Sequence, residues 1–208
     1  MKELELIRLK SMLEIEDEKY KKGYKYICGV DEAGRGPLCG PVVAAAVILP
    51  KGKCIEGVND SKKLTEKKRE ILYEKIMEEA LAVGVGISNV DVIEKVNILN
   101  ATKLAMQEAI KKLNVKPDYV LIDGNQMIEI EMDGQPIVSG DAKSESIAAA
   151  SIIAKVTRDR MLIEWDKQYP VYGFAKHKGY GTKAHIEAIG KYGICKLHRP
   201  SFCKKFIK

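Results

Sequence analysis

Asp31 and Glu32 are adjacent carboxylates placed directly after the apolar run Tyr26-Ile27-Cys28-Gly29-Val30 and before a turn holding Gly34, Gly36, Pro37, Gly40 and Pro41. Neighbouring like charges repel and both resist leaving water, so this pair at the end of a buried strand costs folding free energy. A bound cation offsets that cost, and a divalent metal is the first candidate. Two further acids close comparable elements: Asp123 follows the apolar run Tyr119–Ile122, and Asp141 precedes an alanine-rich helical stretch. Each acid has a plainer reading by itself. The pair could be a solvated turn, Asp123 an Asp-Gly turn, and Asp141 a helix-start acid favoured by the dipole. Four such acids at one sheet edge would instead make a hard-oxygen site suited to Mg²⁺ or Mn²⁺.

Competing chemistries fail on context. Gly34-Arg35-Gly36 and Gly40 loosely echo a dinucleotide loop, but Pro37 and Pro41 fall where its helix must open. No P-loop motif occurs anywhere in the chain. The five cysteines are odd in number and lack a C-x-x-C pair, which points to reduced thiols in a cytosolic protein. Cys195, His198 and Cys203 have irregular spacing and no fourth ligand nearby, which argues against zinc.

Charge is distributed unevenly. Residues 176–208 hold nine Lys or Arg against one acid, a local +8 within an overall +6, so the remaining residues are net −2. This segment also carries Tyr180, Tyr192 and Phe202, giving cations for phosphates and flat rings for sugars or bases. In His177-Lys178-Gly179-Tyr180-Gly181-Thr182, glycines flanking an aromatic suggest a shaped loop rather than a solvated tail.

The elements that must position these residues alternate. With 208 residues and 46% hydrophobic content, the chain can bury one full core with a small appendage. No apolar run reaches the ~20 residues that span a bilayer, and the N-terminus does not resemble a signal peptide, so the expected location is the cytoplasm, away from membranes. Periodicity predicts a helix over 3–20, strands over 26–30 and 42–49, and a polar loop through Asn59-Asp60-Ser61-Lys62. A Thr65-capped helix then reaches about Ala80, and a strand carries Leu81, Val83, Val85 and Ile87. A capping-box start at Asp91 and Glu94 leads helical material to Leu113. The strand at 119–122, a turn at Asp133-Gly134, a short strand at Ile137-Val138, and helices over 144–165 and 182–191 complete the pattern. It reads as α/β with a mixed sheet, antiparallel early and then extended through a helical crossover. If the first and fourth strands are parallel neighbours, their terminal acids converge.

VDEAGRGPLCGPVVAAAVIL, NDSKKL, LIDGN, GDAKSESIAAASIIAKVTRDR, HKGYGT and HRPSF occur in that order and together resemble bacterial ribonuclease HII over about residues 24–203. Cys39 is a departure, because the family more often has alanine there. The resemblance implies a ribonuclease-H-like α/β fold: a mixed sheet flanked by helices, with a small helical C-terminal segment. The division would be an N-terminal helical extension over 1–20, a catalytic core over 21–168 and a basic segment over 169–208 that completes the substrate site. The implied activity is endonucleolytic hydrolysis of RNA in RNA–DNA hybrids and incision 5′ of single ribonucleotides in duplex DNA, leaving 3′-hydroxyl and 5′-phosphate ends. The implied catalytic and metal-binding residues are Asp31, Glu32, Asp123 and Asp141, with Mn²⁺ or Mg²⁺ as cofactor. Substrate-binding roles fall on Gly34, Arg35, Gly36, Lys62, Lys143 and Tyr180. Three alternatives stay open: a ribonuclease HIII-like hybrid nuclease, a resolvase or transposase of the same fold, and a non-catalytic nucleic-acid-binding module. The first typically has an added N-terminal domain and lacks the Gly-Arg-Gly element. The size and surface charge suit a monomer.

Overall fold

The computed structural model describes residues 3–207. Its centre is a five-stranded sheet in the order β3-β2-β1-β4-β5, with β1 at Ile27–Ala33, β2 at Val42–Ile48, β3 at Ala82–Ser88, β4 at Tyr119–Asp123 and β5 at Asp133–Ile137. β1 pairs antiparallel with β2 and β2 with β3, whereas β1 pairs parallel with β4 and β4 with β5. The mixed sheet and the parallel β1–β4 contact match the sequence expectation.

Every residue of β2 is buried, because helices cover both faces of the sheet. Ala44, Ala46 and Ile48 pack with Ala101, Ala105 and Ala109 of α4 (Val90–Lys111). Ala45 and Val47 pack with Ala148, Ile152 and Ile153 of α5 (Glu145–Gln168), and with Leu72 and Ile76 of α3 (Glu66–Glu79). Small residues bring the helices close to the sheet. A Cβ on Gly86 would stand 2.0 Å from the Ala105 carbonyl oxygen, so no side chain fits under α4 there.

Several local expectations are revised. The helix expected over 3–20 is two helices, α1 (Glu3–Met12) and α2 (Glu14–Lys21), meeting at Leu13. Met12 packs under α3 and α5, while Ile15 and Tyr20 join the Ile27–Tyr119 cluster, so the two halves serve different neighbours. Asp133-Gly134 is not a turn but the start of β5, paired with Tyr119 and Val120. The Tyr24 hydroxyl donates to Asp133 at 2.5 Å, and this tertiary contact overrides the local turn preference. Asp91 and Glu94 do not form a capping box. Asn89 occupies the cap position of α4, and Glu94 instead accepts from the Ser201 N–H and hydroxyl at 3.1 and 2.6 Å. Asn97 interrupts α4 with φ 67°, a left-handed value that kinks the helix. Strand β1 also runs three residues further than expected, so Asp31 and Glu32 lie within it.

The C-terminal elements α6 (Phe174–His177), α7 (Lys183–Tyr192) and α8 (Pro200–Cys203) close against the turn that joins β1 to β2. Phe174, Ala188 and Leu197 pack with Cys39 and Leu162, and Ile189 and Cys203 pack with Leu38. The five cysteines carry no disulfide. Among the described residues, no helix is long and apolar enough to cross a membrane.

Candidate active site

The parallel register carries the acids to one edge. Val30 of β1 pairs with Ile122 of β4, so Asp31 and Asp123, one residue on, come side by side where the β1–β4 pairing ends, Asp123 closing β4 while β1 continues to Ala33. Asp141 lies on a single 3₁₀ turn, Gly140–Ala142, immediately before α5. The Gly140 N–H donates to Asp123 Oδ1 at 2.7 Å and so ties that turn to the end of β4. A Cβ on Gly140 would stand 2.6 Å from Ile147 Cδ1, so a side chain there would push the turn away. Asp31 is 3% exposed and Asp141 7% exposed.

Among the described residues, no buried arginine or lysine neutralises this cluster. Burial pushes the Asp31 carboxyl well above the usual carboxylate range, and the charges on Glu32 and Asp123 push the same way. Burial also raises Glu32, although Arg35 opposes it across 3.4 Å. Asp141 is raised by burial and then by Asp60 and Asp123, with Lys62 opposing at 3.6 Å from its Oδ2. Burial alone would lower the Lys62 ammonium, but Asp141, Asp31, Asp60 and Asp123 outweigh it and hold the pKa up. Among the described residues, no three acidic, histidine or cysteine side chains already stand as a closed metal cage. An all-oxygen donor set, buried and short of positive charge, fits a hard divalent cation.

The Gly34–Pro41 turn is held by two arginines that the sequence reading did not single out. Arg199 is fully buried and donates to the carbonyls of Gly34, Arg35, Pro37 and Gly40 at 2.6–2.9 Å. Arg158, 1% exposed, donates to those of Cys39, Pro41 and Lys178 at 2.9–3.0 Å. Among the described residues neither has a carboxylate partner, and the planar guanidinium fork suits this multiple capture of carbonyls. They stand in VTRDR and HRPSF, and nothing in either segment marks an arginine whose partners are backbone carbonyls. Gly34 adopts φ +100°, and a Cβ there would stand 2.2 Å from Arg158 Nε, so glycine is required twice over.

Tyr180 is 47% exposed, and its ring edge lies 3.8 Å from where a Gly36 Cβ would be. Its backbone is fixed by a hydrogen-bond chain through the two most buried of the chain's three histidines. The Cys195 N–H donates to His198 Nδ1 at 3.0 Å, so His198 carries its proton on Nε2. That proton faces His185 Nε2 at 3.1 Å, leaving His185 to donate from Nδ1 to the Tyr180 carbonyl at 2.9 Å. Burial lowers both imidazoles, with His198 pulled down to about 4, and the chain requires both to be neutral. Cys195 and His198 are therefore partners in this structural chain, with the Cys195 thiol 3.2 Å from His198 Nδ1.

The other expected substrate residues divide. Gly34, Arg35, Gly36, Tyr180 and Lys62 border the acids or the turn beside them. The Lys143 ammonium instead donates to the Val138 carbonyl at 2.7 Å and reaches none of the four carboxylates. Asp60 was missed as a neighbour of Asp141, because its place in Asn59-Asp60-Ser61 reads as an ordinary loop. It caps the 3₁₀ turn Ser61–Lys63 by accepting from the Lys62 N–H at 2.9 Å.

A family model described as Ribonuclease HII matches residues 28–205. A ribonuclease HII of Acetivibrio thermocellus is 60% identical over 205 residues, covering 99% of this chain and 80% of that protein. Among solved structures, the ribonuclease H2 of Pyrococcus horikoshii OT3 superposes with a TM-score of 0.72 at 30% identity, covering 87% of this chain and 96% of that one. The Archaeoglobus fulgidus ribonuclease HII, solved in complex with PCNA, gives 0.71 at 27% identity, covering 84% and 93%. Fold and acid-lined sheet edge together define an endonuclease of the ribonuclease-H-like class, a hydrolase of phosphodiesters. Within that class the chain belongs to the ribonuclease HII family, whose members cleave the RNA of RNA–DNA hybrids.

Proposed function

We propose that the enzyme is metal-dependent, that it cuts both RNA–DNA hybrids and single ribonucleotides embedded in duplex DNA, and that it cuts on the 5′ side of the ribonucleotide. The observation that carries this reading is the meeting of Asp31 and Asp123 at the β1–β4 edge, with Glu32 and Asp141 beside them. These four carboxylates would hold the metal, and two bound divalent ions would supply an activated water and neutralise charge at the phosphate. The products would carry 3′-hydroxyl and 5′-phosphate ends.

The remaining steps belong to the chain's own residues. Gly34 and Gly36 leave their backbone unshielded, so it can approach the 2′-hydroxyl that separates RNA from DNA. The exposed Arg35 guanidinium reaches a backbone phosphate, and Lys62 adds a cation at the rim of the acids. Tyr180 presents its ring to the sugar or base at the RNA–DNA step. Selection then depends on the sugar and the junction rather than on base sequence. In this reading the basic segment over 169–208 completes the substrate surface built on the core over 21–168.

The test pairs a labelled duplex containing one ribonucleotide with a long hybrid, each cut in Mg²⁺ and the products mapped. Incision of both, 5′ of the single ribonucleotide, is the expected result. Cleavage confined to long RNA tracts would overturn the single-ribonucleotide specificity.

A further inference from the structure

The N-terminal helices reach the start of α5 from outside the stretch matched by the family model. Glu16, on α2, is 4% exposed, and its Oε1 accepts from the Ser144 hydroxyl at 2.6 Å, the Ser146 hydroxyl at 2.7 Å and the Ser146 N–H at 3.1 Å. Ser144 is itself the N-cap of α5, its Oγ accepting from the Ile147 N–H at 3.2 Å. A hydroxyl has one proton to give, so Ser144 donates to Glu16 and keeps its lone pairs for the helix. Glu16 therefore caps the cap. The positive end of the α5 dipole favours an acid at this position.

From this contact, short bonds lead to the acids. The Ser144 N–H donates to the Gly140 carbonyl at 2.8 Å, and the Gly140 N–H donates to Asp123 Oδ1 at 2.7 Å. Asp141 is the next residue along the same 3₁₀ turn. On the other side, Ser146 rests on Gly29, two residues before Asp31, where a Cβ would stand 2.2 Å from the Ser146 carbonyl carbon. The start of α5 is thus wedged between β1 and Glu16, and the turn bearing Asp141 hangs from it. α1 and α2 are themselves fastened to the core. Arg8 donates to the Val58 carbonyl at 2.7 Å, Met12 is buried under α3 and α5, and Lys19 reaches the Gln135 side chain at 3.2 Å.

We propose that Glu16 is a positioning residue for the carboxylate site, presetting Asp141 and Asp123 to receive a divalent metal through Ser144 and Ser146. The inference rests on the metal-binding reading above. It gives the N-terminal extension a role in the metal site, beyond covering the core.

The test measures Mn²⁺ binding to the substrate-free, full-length protein by calorimetry. Glu16→Ala should weaken Mn²⁺ affinity about tenfold, the lower end of what losing an outer-shell partner costs. Glu16→Gln keeps an acceptor oxygen for the two hydroxyls and should bind close to wild type. Met12→Ala, which empties a buried apolar position in the same extension, should lower the melting temperature and leave Mn²⁺ affinity unchanged. Ser146→Ala is a milder cut of the same link and should weaken binding in the same direction, even if Glu16→Ala does not fold. Wild-type affinity in both Glu16→Ala and Ser146→Ala would overturn the positioning role alone. Equal weakening in Met12→Ala and Glu16→Ala would overturn it too, as a general effect of stability. Absence of Mn²⁺ binding by the wild type would overturn the metal reading and this inference with it.

Discussion

Replacing Arg199 with leucine tests whether the turn between β1 and β2 is held from the C-terminal segment. The guanidinium makes four hydrogen bonds at 2.6–2.9 Å, to the carbonyls of Gly34, Arg35, Pro37 and Gly40. Gly34, Pro37 and Gly40 are buried, so three of the four acceptors lose their partner with no easy access to water, and only the exposed Arg35 can be rehydrated. An orphaned buried carbonyl costs about 1–3 kcal/mol. Against this stands the relief of removing a buried cation, whose desolvation already pulls the Arg199 pKa down to about 10. The net expectation for Arg199→Leu is a loss of about 4 kcal/mol, a large share of a typical domain's 5–15 kcal/mol. Lysine keeps the charge but cannot span the four acceptors, so Arg199→Lys should fall between. Urea unfolding of the metal-free protein reads the stability, and steady-state cleavage of a single-ribonucleotide duplex reads the turn. KM should rise even in the lysine variant, because the carbonyls it releases belong to Gly34 and its neighbours. A loss below about 1 kcal/mol in Arg199→Leu with unchanged KM would show that Arg199 does not hold the turn, since a lost buried charged hydrogen bond alone exceeds that.

Three further outcomes follow from the site. Tyr180→Ala should reduce incision at a single ribonucleotide about tenfold more than cleavage of long hybrids, the scale of one lost stacking contact, while Tyr180→Phe retains both; equal losses on the two substrates would sink junction reading. Asp141→Asn should cost more activity than the ~10–100-fold of an outer-shell loss, yet the metal-free variant should melt no lower than wild type, because burial and repulsion from Asp60 and Asp123 penalise the charged form; a clear drop in its melting temperature would count against a repulsive cluster. The His198 imidazole, at about 4 when folded against an ordinary 6.5, leaves the unfolded chain binding a proton that the folded chain refuses. Its contribution to stability therefore falls as pH drops from 6.5 towards 4, by up to about 3 kcal/mol. NMR titration should show His198 still neutral at about pH 5.5, and protonation near its ordinary value would contradict the hydrogen-bond chain to Tyr180.

Much of the site was legible because each acid follows a strong local signal. Apolar runs lead into Asp31 and Asp123, and an alanine-rich helix begins just after Asp141, so pattern alone placed the end of β4 and the start of α5, while β1 runs on to Ala33. Their convergence depended on β1 and β4 being parallel neighbours, which the helical crossover made the natural arrangement. What stayed hidden is long-range and polar. Arg158 and Arg199 bind backbone carbonyls distant in sequence, and no pattern marks an arginine whose partners are main-chain atoms. Asp60 and Glu16 look like loop and helix-surface acids until the fold places them beside Asp141 and Ser144. Asp133-Gly134 misled for the opposite reason: its local turn chemistry is strong, but pairing with β4 and the Tyr24 contact decide the outcome. The same competition explains Glu94, which leaves its expected cap for Ser201.

If the carboxylates at the β1–β4 edge hold the metal that drives cleavage, removing the charge of one of them silences the enzyme. The most direct measurement compares wild type with Asp31→Asn on a labelled duplex carrying one ribonucleotide, in Mg²⁺, in Mn²⁺ and in EDTA. Incision by the wild type is expected with either metal, none in EDTA, and near-complete loss in the variant with the duplex still bound. Cleavage that persists in EDTA, or that survives in Asp31→Asn, would contradict it.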